Sequence, residues 1–279
     1  MNRPLSGLKI IEIQCLGPAP FCGHLLTDLG AEVTLITRPT PSLNLPGGAS
    51  LVDREKRAVP LNLKDEADRD TLKTMIKDVD AIIEGMRPGV MERLGLGPDE
   101  LLTRRPSLVM TRISGFGQSG PYAQRAGFAT IAEAMSGFAA LNGEPDGAPL
   151  LPPIALTDEV TGLAAAFATM VALHSAAATK VGQVVDANLL ETMFHLMGPL
   201  ASLYALTGEQ QPRLGSGLPY TVPRGTYRCA DERWVAISTS SDAVAARVME
   251  LMGVGDDQRF ASFDGRTRHR DELERPARA

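Results

Sequence analysis

The stretch Leu8-Lys9-Ile10-Ile11-Glu12-Ile13, continued by Pro18 to Leu29 and by Ala31-Glu32-Val33-Thr34-Leu35-Ile36-Thr37, decides how the chain reads. The outer pieces are short β-rich runs, and the middle piece carries apolar residues at helical spacing. That order is a strand, helix, strand unit. It resumes with Arg57 to Leu63, a polar helix from Asp65 to Asp78, a strand Ala81 to Glu84, a helix near Leu101 and a strand Leu108 to Ile113. Residues 1 to about 113 therefore read as a doubly wound, Rossmann-like α/β domain.

Outward from this unit the pattern loosens. Ser114 to Gly127 is loop-like, because Gly115, Gly117, Gly120 and Pro121 break any period, and such loops often hold ligands. The spacing predicts a helix from Phe128 to Ala140, a long helix beginning near Asp158, a strand at Gln183 to Asp186 and a helix from Leu189 to Leu206. The alanine-rich run from Gly162 to His174 reads as a buried helix. Residues 1–210 form the expected large domain and 211–224 a Gly/Pro-rich linker. Residues 225–279 would be an incomplete small α+β domain: a hairpin over Gly225 to Ser238 with its turn at Ala230-Asp231-Glu232-Arg233, one helix from Ala243 to Met252, and an Arg- and Glu-rich tail from Arg266.

Composition narrows the function. The chain has 279 residues, 44% of them hydrophobic, enough for one or two substantial cores. A net charge of -5 argues against broad nucleic-acid or anionic-membrane binding. Cys15, Cys22 and Cys229 are too few and scattered for a disulfide framework or a metal pair, which fits a reducing, cytoplasmic compartment. Met1 to Gly7 lacks the apolar core of a signal peptide, and no apolar run crosses a bilayer uninterrupted.

Familiar motifs are missing where they would be diagnostic. Gly17, Gly23 and Gly30 do not make G-x-G-x-x-G, so a nicotinamide cofactor is not expected. His24, His174, His195 and His269 have no partner at metal-ligand spacing, and there is no G-x-S-x-G elbow; His174 and His195 read as hydrogen-bonded structural residues of apolar helices. Gly17-Pro18-Ala19-Pro20 reads either as a plain helix start or as backbone open to an anion. Basic residues recur about successive strands: Arg38 after the second, Arg54, Lys56, Arg57 and Lys64 about the third, and Arg87 and Arg93 after the fourth. They form either a solvated rim or a phosphate site at the strand ends. Asp158 stands among apolar and small residues, where burying an acid is costly. On the residues alone it is either a helix N-cap or a functional carboxylate.

Several ordered segments resemble the family III CoA-transferases, a superfamily that includes formyl-CoA and carnitine CoA-transferases and the α-methylacyl-CoA racemases. They are Pro4 to Glu12, Leu29 to Val33 with Arg38-Pro39, Lys56-Arg57 with Leu61 to Lys64, Glu84 to Gly95, Ser114 to Pro121 and Gly182 to Asp186. The resemblance implies that Asp158 is the nucleophile, attacking an acyl-CoA thioester and carrying CoA as an aspartyl thioester to a carboxylic acid. Small neighbours such as Gly127 and Gly162 would then admit the thioester. It implies CoA held by Arg38, Leu63, Lys64, Gly85, Met86, Arg87 and Arg93, with Gly127 and Phe128 at the reacting end and no permanently bound cofactor or metal. Racemases of this family place a histidine where Phe128 stands, so the segment resembles the transferases; Glu133, considered as a substitute base, is poorly spaced for it. An interlocked homodimer is also implied. The alternatives are an α-methylacyl-CoA racemase or isomerase and, because the chain is C-terminally short relative to the family, a non-catalytic CoA-binding subunit, a truncated paralogue, or one part of a split enzyme with a complementary C-terminal partner.

Overall fold

The computed structural model describes residues 3–39 and 51–277; expectations touching Met1, Asn2 and residues 278 and 279 lie outside the described residues. By internal contacts the chain forms two compact units: residues 1–136 with 152–198, and residues 137–151 with 199–279. The sequence boundary near residue 210 thus differs from this division, which places Pro199 onward in the second unit.

The first unit is built on a six-stranded parallel sheet in the order β3-β2-β1-β4-β5-β6. Its strands are β1 (Lys9–Ile13), β2 (Glu32–Thr37), β3 (Arg57–Pro60), β4 (Ala81–Glu84), β5 (Val109–Ser114) and β6 (Val184–Asn188). The expected doubly wound α/β architecture is present. Alternation along β1 explains why both faces are covered. Ile10 joins a core with α1 (Pro18–Asp28), while Ile11 and Ile13 join a second core with α2 (Glu66–Met75) and α4 (Pro98–Arg104). Between them the short helix α3 (Val90–Arg93) follows β4. Local chemistry sets the helix ends: Asp65 accepts the Ala67 N–H to cap α2, and Pro18 occupies the first turn of α1, where a missing N–H costs nothing.

Two long helices expected from spacing are broken. The helix over Phe128 to Ala140 stops as α5 (Ala129–Met135), because Gly137 takes φ +92°. The helix over Leu189 to Leu206 divides into α7 (Leu189–Leu196) and α8 (Leu200–Thr207) around Gly198, at φ +61°, and Pro199. Before α7 runs α6 (Leu156–Thr179), which packs on α1, β5 and β6. Its burial is one-sided: Ala165, Thr169, Ala172 and Ala176 face inward, whereas Leu163, Phe167 and Val171 are exposed. By length and composition alone α6 is apolar enough to cross a membrane, a test that a core helix also passes. Gly162 is what lets α6 approach α1, since a methyl group there would stand 2.7 Å from the Pro18 carbonyl and 2.8 Å from the Phe21 ring.

In the second unit the hairpin is antiparallel, β7 (Arg224–Arg228) with β8 (Trp234–Ser238), and α9 (Asp242–Leu251) follows. The polar tail is not featureless. It forms α10 (Phe263–Arg268) and α11 (Arg270–Ala277), and Leu273 joins Val222, Met249 and Phe260 in a small core. One buried leucine is enough to dock a helix most of whose other residues are charged, which is why composition alone missed it.

Candidate active site

The carboxyl ends of the strands converge on one cavity of about 1270 Å³, contained within the first unit. The order of the sheet reverses between β1 and β4, the position at which doubly wound sheets bind ligands. Residues following five strands line it: Gln14 to Ala19 after β1, Arg38 after β2, Leu63 and Lys64 after β3, Gly85 to Pro88 after β4, and Gly115 after β5. Gly127, Phe128 and Ala129 at the start of α5 and Asp158 at the start of α6 complete the wall.

The structure therefore brings together Asp158, Arg38, Leu63, Lys64, Gly85, Met86, Arg87, Gly127 and Phe128. Arg93 does not line the cavity; its guanidinium folds back over Gly89, where a methyl group would stand 3.0 Å from Nη1. Other strand-end cations are structural. Lys56 is fully buried with Nζ 2.7 Å from Glu12 Oε2 and donates to the Pro20 carbonyl, and Arg54 pairs with Asp28. His174 and His195, read as hydrogen-bonded structural residues of apolar helices, are both exposed. Gly162 is buried against α1 and is absent from the cavity wall, so it admits a helix and not a ligand.

Backbone close contacts shape the wall. Gly85 lies against Cys15, where a methyl group would come 2.8 Å from Sγ, and the Met86 N–H donates to buried Glu84 at 2.6 Å. Arg69 on α2 donates to the Leu63 and Lys64 carbonyls at 3.2 and 2.9 Å, fixing that turn. The glycine loop after β5 is tied down by Asp186 on β6, which accepts the Gln118 N–H at 2.8 Å. Gly115 and Gly127 meet backbone to backbone, leaving no room for a Cβ on either. That contact closes the loop and sets Phe128, 68% exposed, on the cavity wall. Arg125, which sequence reasoning passed over, also lines the cavity and stacks on the Tyr122 ring at 4.1 Å.

Asp158 is not a cap. The N-cap position of α6 is Ala155, whose side chain makes no capping bond, and Asp158 is the third helical residue. Its carboxylate lies against Gly17, where a methyl group would stand 3.0 Å from Oδ1, so it faces the N-terminus of α1. Gly17 holds φ +79°, a conformation glycine adopts at little cost. Desolvation pushes the Asp158 carboxyl above its ordinary value, and the charges of Glu133 and Glu159 push it the same way. Glu133 on α5 is itself buried and accepts the Thr157 hydroxyl at 2.8 Å. Its position beside Asp158 was invisible in spacing, because 24 residues separate it from Thr157.

The strand ends of the doubly wound sheet thus bring Arg38, Lys64, Arg87 and the partly buried Asp158 to the wall of one cavity. The family model of CoA-transferase family III matches residues 5–278, and the chain belongs to that family. It is 35% identical to succinyl-CoA–D-citramalate CoA-transferase of Chloroflexus aurantiacus over 98% of this chain and 71% of that one. It is 36% identical to the β subunit of succinyl-CoA–L-malate CoA-transferase from the same organism, over 90% of this chain and 65% of that one. The chain thus spans roughly two thirds of the length of these relatives. A CaiB/BaiF family protein from Brucella suis superposes with a TM-score of 0.82 at 29% identity, covering 99% of this chain and 78% of that one.

Proposed function

We propose that the chain transfers CoA from an acyl-CoA thioester to a carboxylic acid, with Asp158 as the covalent carrier. The observation that carries this is the placement of Asp158: a partly desolvated carboxylate, raised further by Glu133 and Glu159, sharing one cavity with Arg38, Lys64 and Arg87. The basic residues suit the phosphates of CoA, and the aspartate suits attack on its thioester. Named relatives use succinyl-CoA with D-citramalate or L-malate, which points to dicarboxylic acids as donor and acceptor here.

In the proposed cycle a carboxylate oxygen of Asp158 attacks the thioester carbon and the C–S bond breaks, giving a mixed anhydride and CoA thiolate. The thiolate then attacks the aspartyl carbonyl, releasing the donor acid as its carboxylate and leaving an aspartyl thioester. The acceptor carboxylate repeats these steps in reverse, so protons and electrons balance without a cofactor. Phe128 has no proton to exchange, which disfavours racemisation at an α-carbon. The exposed Leu163, Phe167 and Val171 recur on one face of α6 and suit contact with a second copy, as a homodimer would provide.

The test is intact-mass measurement after incubation with succinyl-CoA, with hydroxylamine or borohydride trapping. A modification on Asp158 that disappears in Asp158→Ala supports the reading. CoA binding without an adduct would make the chain a CoA-binding subunit, and solvent deuterium at the α-carbon without an adduct would make it a racemase.

A further inference from the structure

We infer that Glu133 is a positioning residue for this transfer: its buried carboxylate, tied to Thr157, destabilises the free Asp158 carboxylate and so favours the uncharged aspartyl thioester. The inference rests on the transferase reading above. Glu133 and Thr157 are both buried, and the 2.8 Å hydrogen bond fixes the Glu133 carboxylate at the residue immediately before Asp158. Two carboxylates brought together out of water repel, and the repulsion ends when one is neutralised.

Charges on the helices packed around the pair do not relieve it. On α5 Glu133 is the only titratable side chain, and α6 adds the exposed Glu159, which repels Asp158 further, and the distant, exposed His174. The helix α7, packed on α5, carries Glu191 and His195, both exposed, with Glu191 engaged by Asn188. The helix α1, packed on α6, carries Cys22, His24 and Asp28, all beyond its first turn. The cavity wall itself adds the Cys15 thiol and the cations Arg38, Lys64, Arg87 and Arg125. When the Asp158 carboxylate becomes an aspartyl thioester, its negative charge departs with the donor acid, and Glu133 is left without a repelling neighbour.

The same repulsion must therefore appear in two measurements. Replacing Glu133 by Gln is expected to move the acidic limb of the pH–rate profile down by about one unit. It should also lower the equilibrium fraction of aspartyl thioester, at a fixed ratio of succinyl-CoA to succinate, by about tenfold. Glu133→Asp, which keeps a carboxylate, should restore part of both. A rate loss in Glu133→Gln with the limb and the thioester fraction unmoved means a merely structural role and overturns the inference. Should Glu133→Gln not fold, ¹³C titration of the carboxyls in the unaltered chain decides: coupled, two-step curves support it and a single-step Asp158 curve overturns it. If the unaltered chain forms no adduct although it binds CoA, the transferase reading fails first. An intact adduct with an unmoved limb defeats this inference alone.

Discussion

The first unit buries acids in two ways, and the contrast separates architecture from chemistry. Under α1, Glu12 is fully buried, lifted to about 7 by desolvation, and answered by Lys56 at 2.7 Å. Between β4 and β5, Glu84 is buried and raised by desolvation, but it accepts Arg112 Nε at 2.8 Å and the Met86 N–H at 2.6 Å. Arg112 also donates to Glu92, whose carboxyl it holds below the ordinary range. At the cavity the pattern inverts. Burial raises Asp158 most, and the charges of Glu133 and Glu159 push it the same way. An acid matched by a cation holds strands and helices together, whereas an acid set against other acids stores free energy that a reaction can release.

Neutralising an acid of each kind is the sharpest way to break this comparison. Asp158→Asn is expected to lower CoA transfer on the order of 10⁴-fold, because an amide cannot carry the acyl group, while the thermal transition stays intact. Activity surviving at more than a hundredth of its starting value would place the nucleophile elsewhere.

The paired acids predict the opposite split. Arg112→Met strands Glu84 without its cation, and Lys56→Met does the same to Glu12, so each should cost about 3–5 kcal/mol in unfolding free energy. Transfer per folded molecule should be retained within a few fold, since neither cation lines the cavity. Urea titration and active-site counting on the same sample separate the two effects. A smaller effect is expected where helix packing meets the site. Gly162→Ala places a methyl group 2.7 Å from the Pro18 carbonyl, which forces α1 and α6 apart at a cost of about 1–3 kcal/mol. Because Asp158 lies against Gly17 at the start of α1, that variant should also lose more transfer activity than Lys56→Met.

Much of the sheet was legible because each strand is a short apolar run between punctuating turns, and parallel strands joined by helices leave few alternatives. Strand-end position offered Arg38, Lys64 and Arg87 either as a phosphate site or as a solvated rim, and they line the cavity, whereas Arg54, Lys56, Arg57 and Arg93, read the same way, do not. Three-dimensional neighbours were not legible. Lys56 reads as one more strand-end cation until Glu12 is seen beneath α1, in space that Gly23 leaves open; a methyl group there would overlap Glu12 Oε2. Glu133 sits in an alanine-rich helix with nothing local to mark it. The broken helices at Gly137 and Gly198 show a different limit, since apolar spacing continues through a glycine whose φ is positive.

The smallest expected effect tests the sign of the contrast. The Asp158 carboxyl binds its proton more tightly folded than unfolded, so its contribution to stability is present below the ordinary carboxylate range and is lost as pH rises through its raised value. Asp158→Asn removes that loss. Its stability should match the parent chain in acid and exceed it at neutral pH, with the gap opening just above the ordinary carboxylate range and then remaining constant. Glu84→Gln should instead destabilise at neutral pH, because it leaves Arg112 without its buried carboxylate. Thermal unfolding of the two variants between pH 4 and 8 gives the comparison directly. A gap for Asp158→Asn that closes as pH rises would mean that an unrecognised cation holds Asp158, placing it with the structural acids.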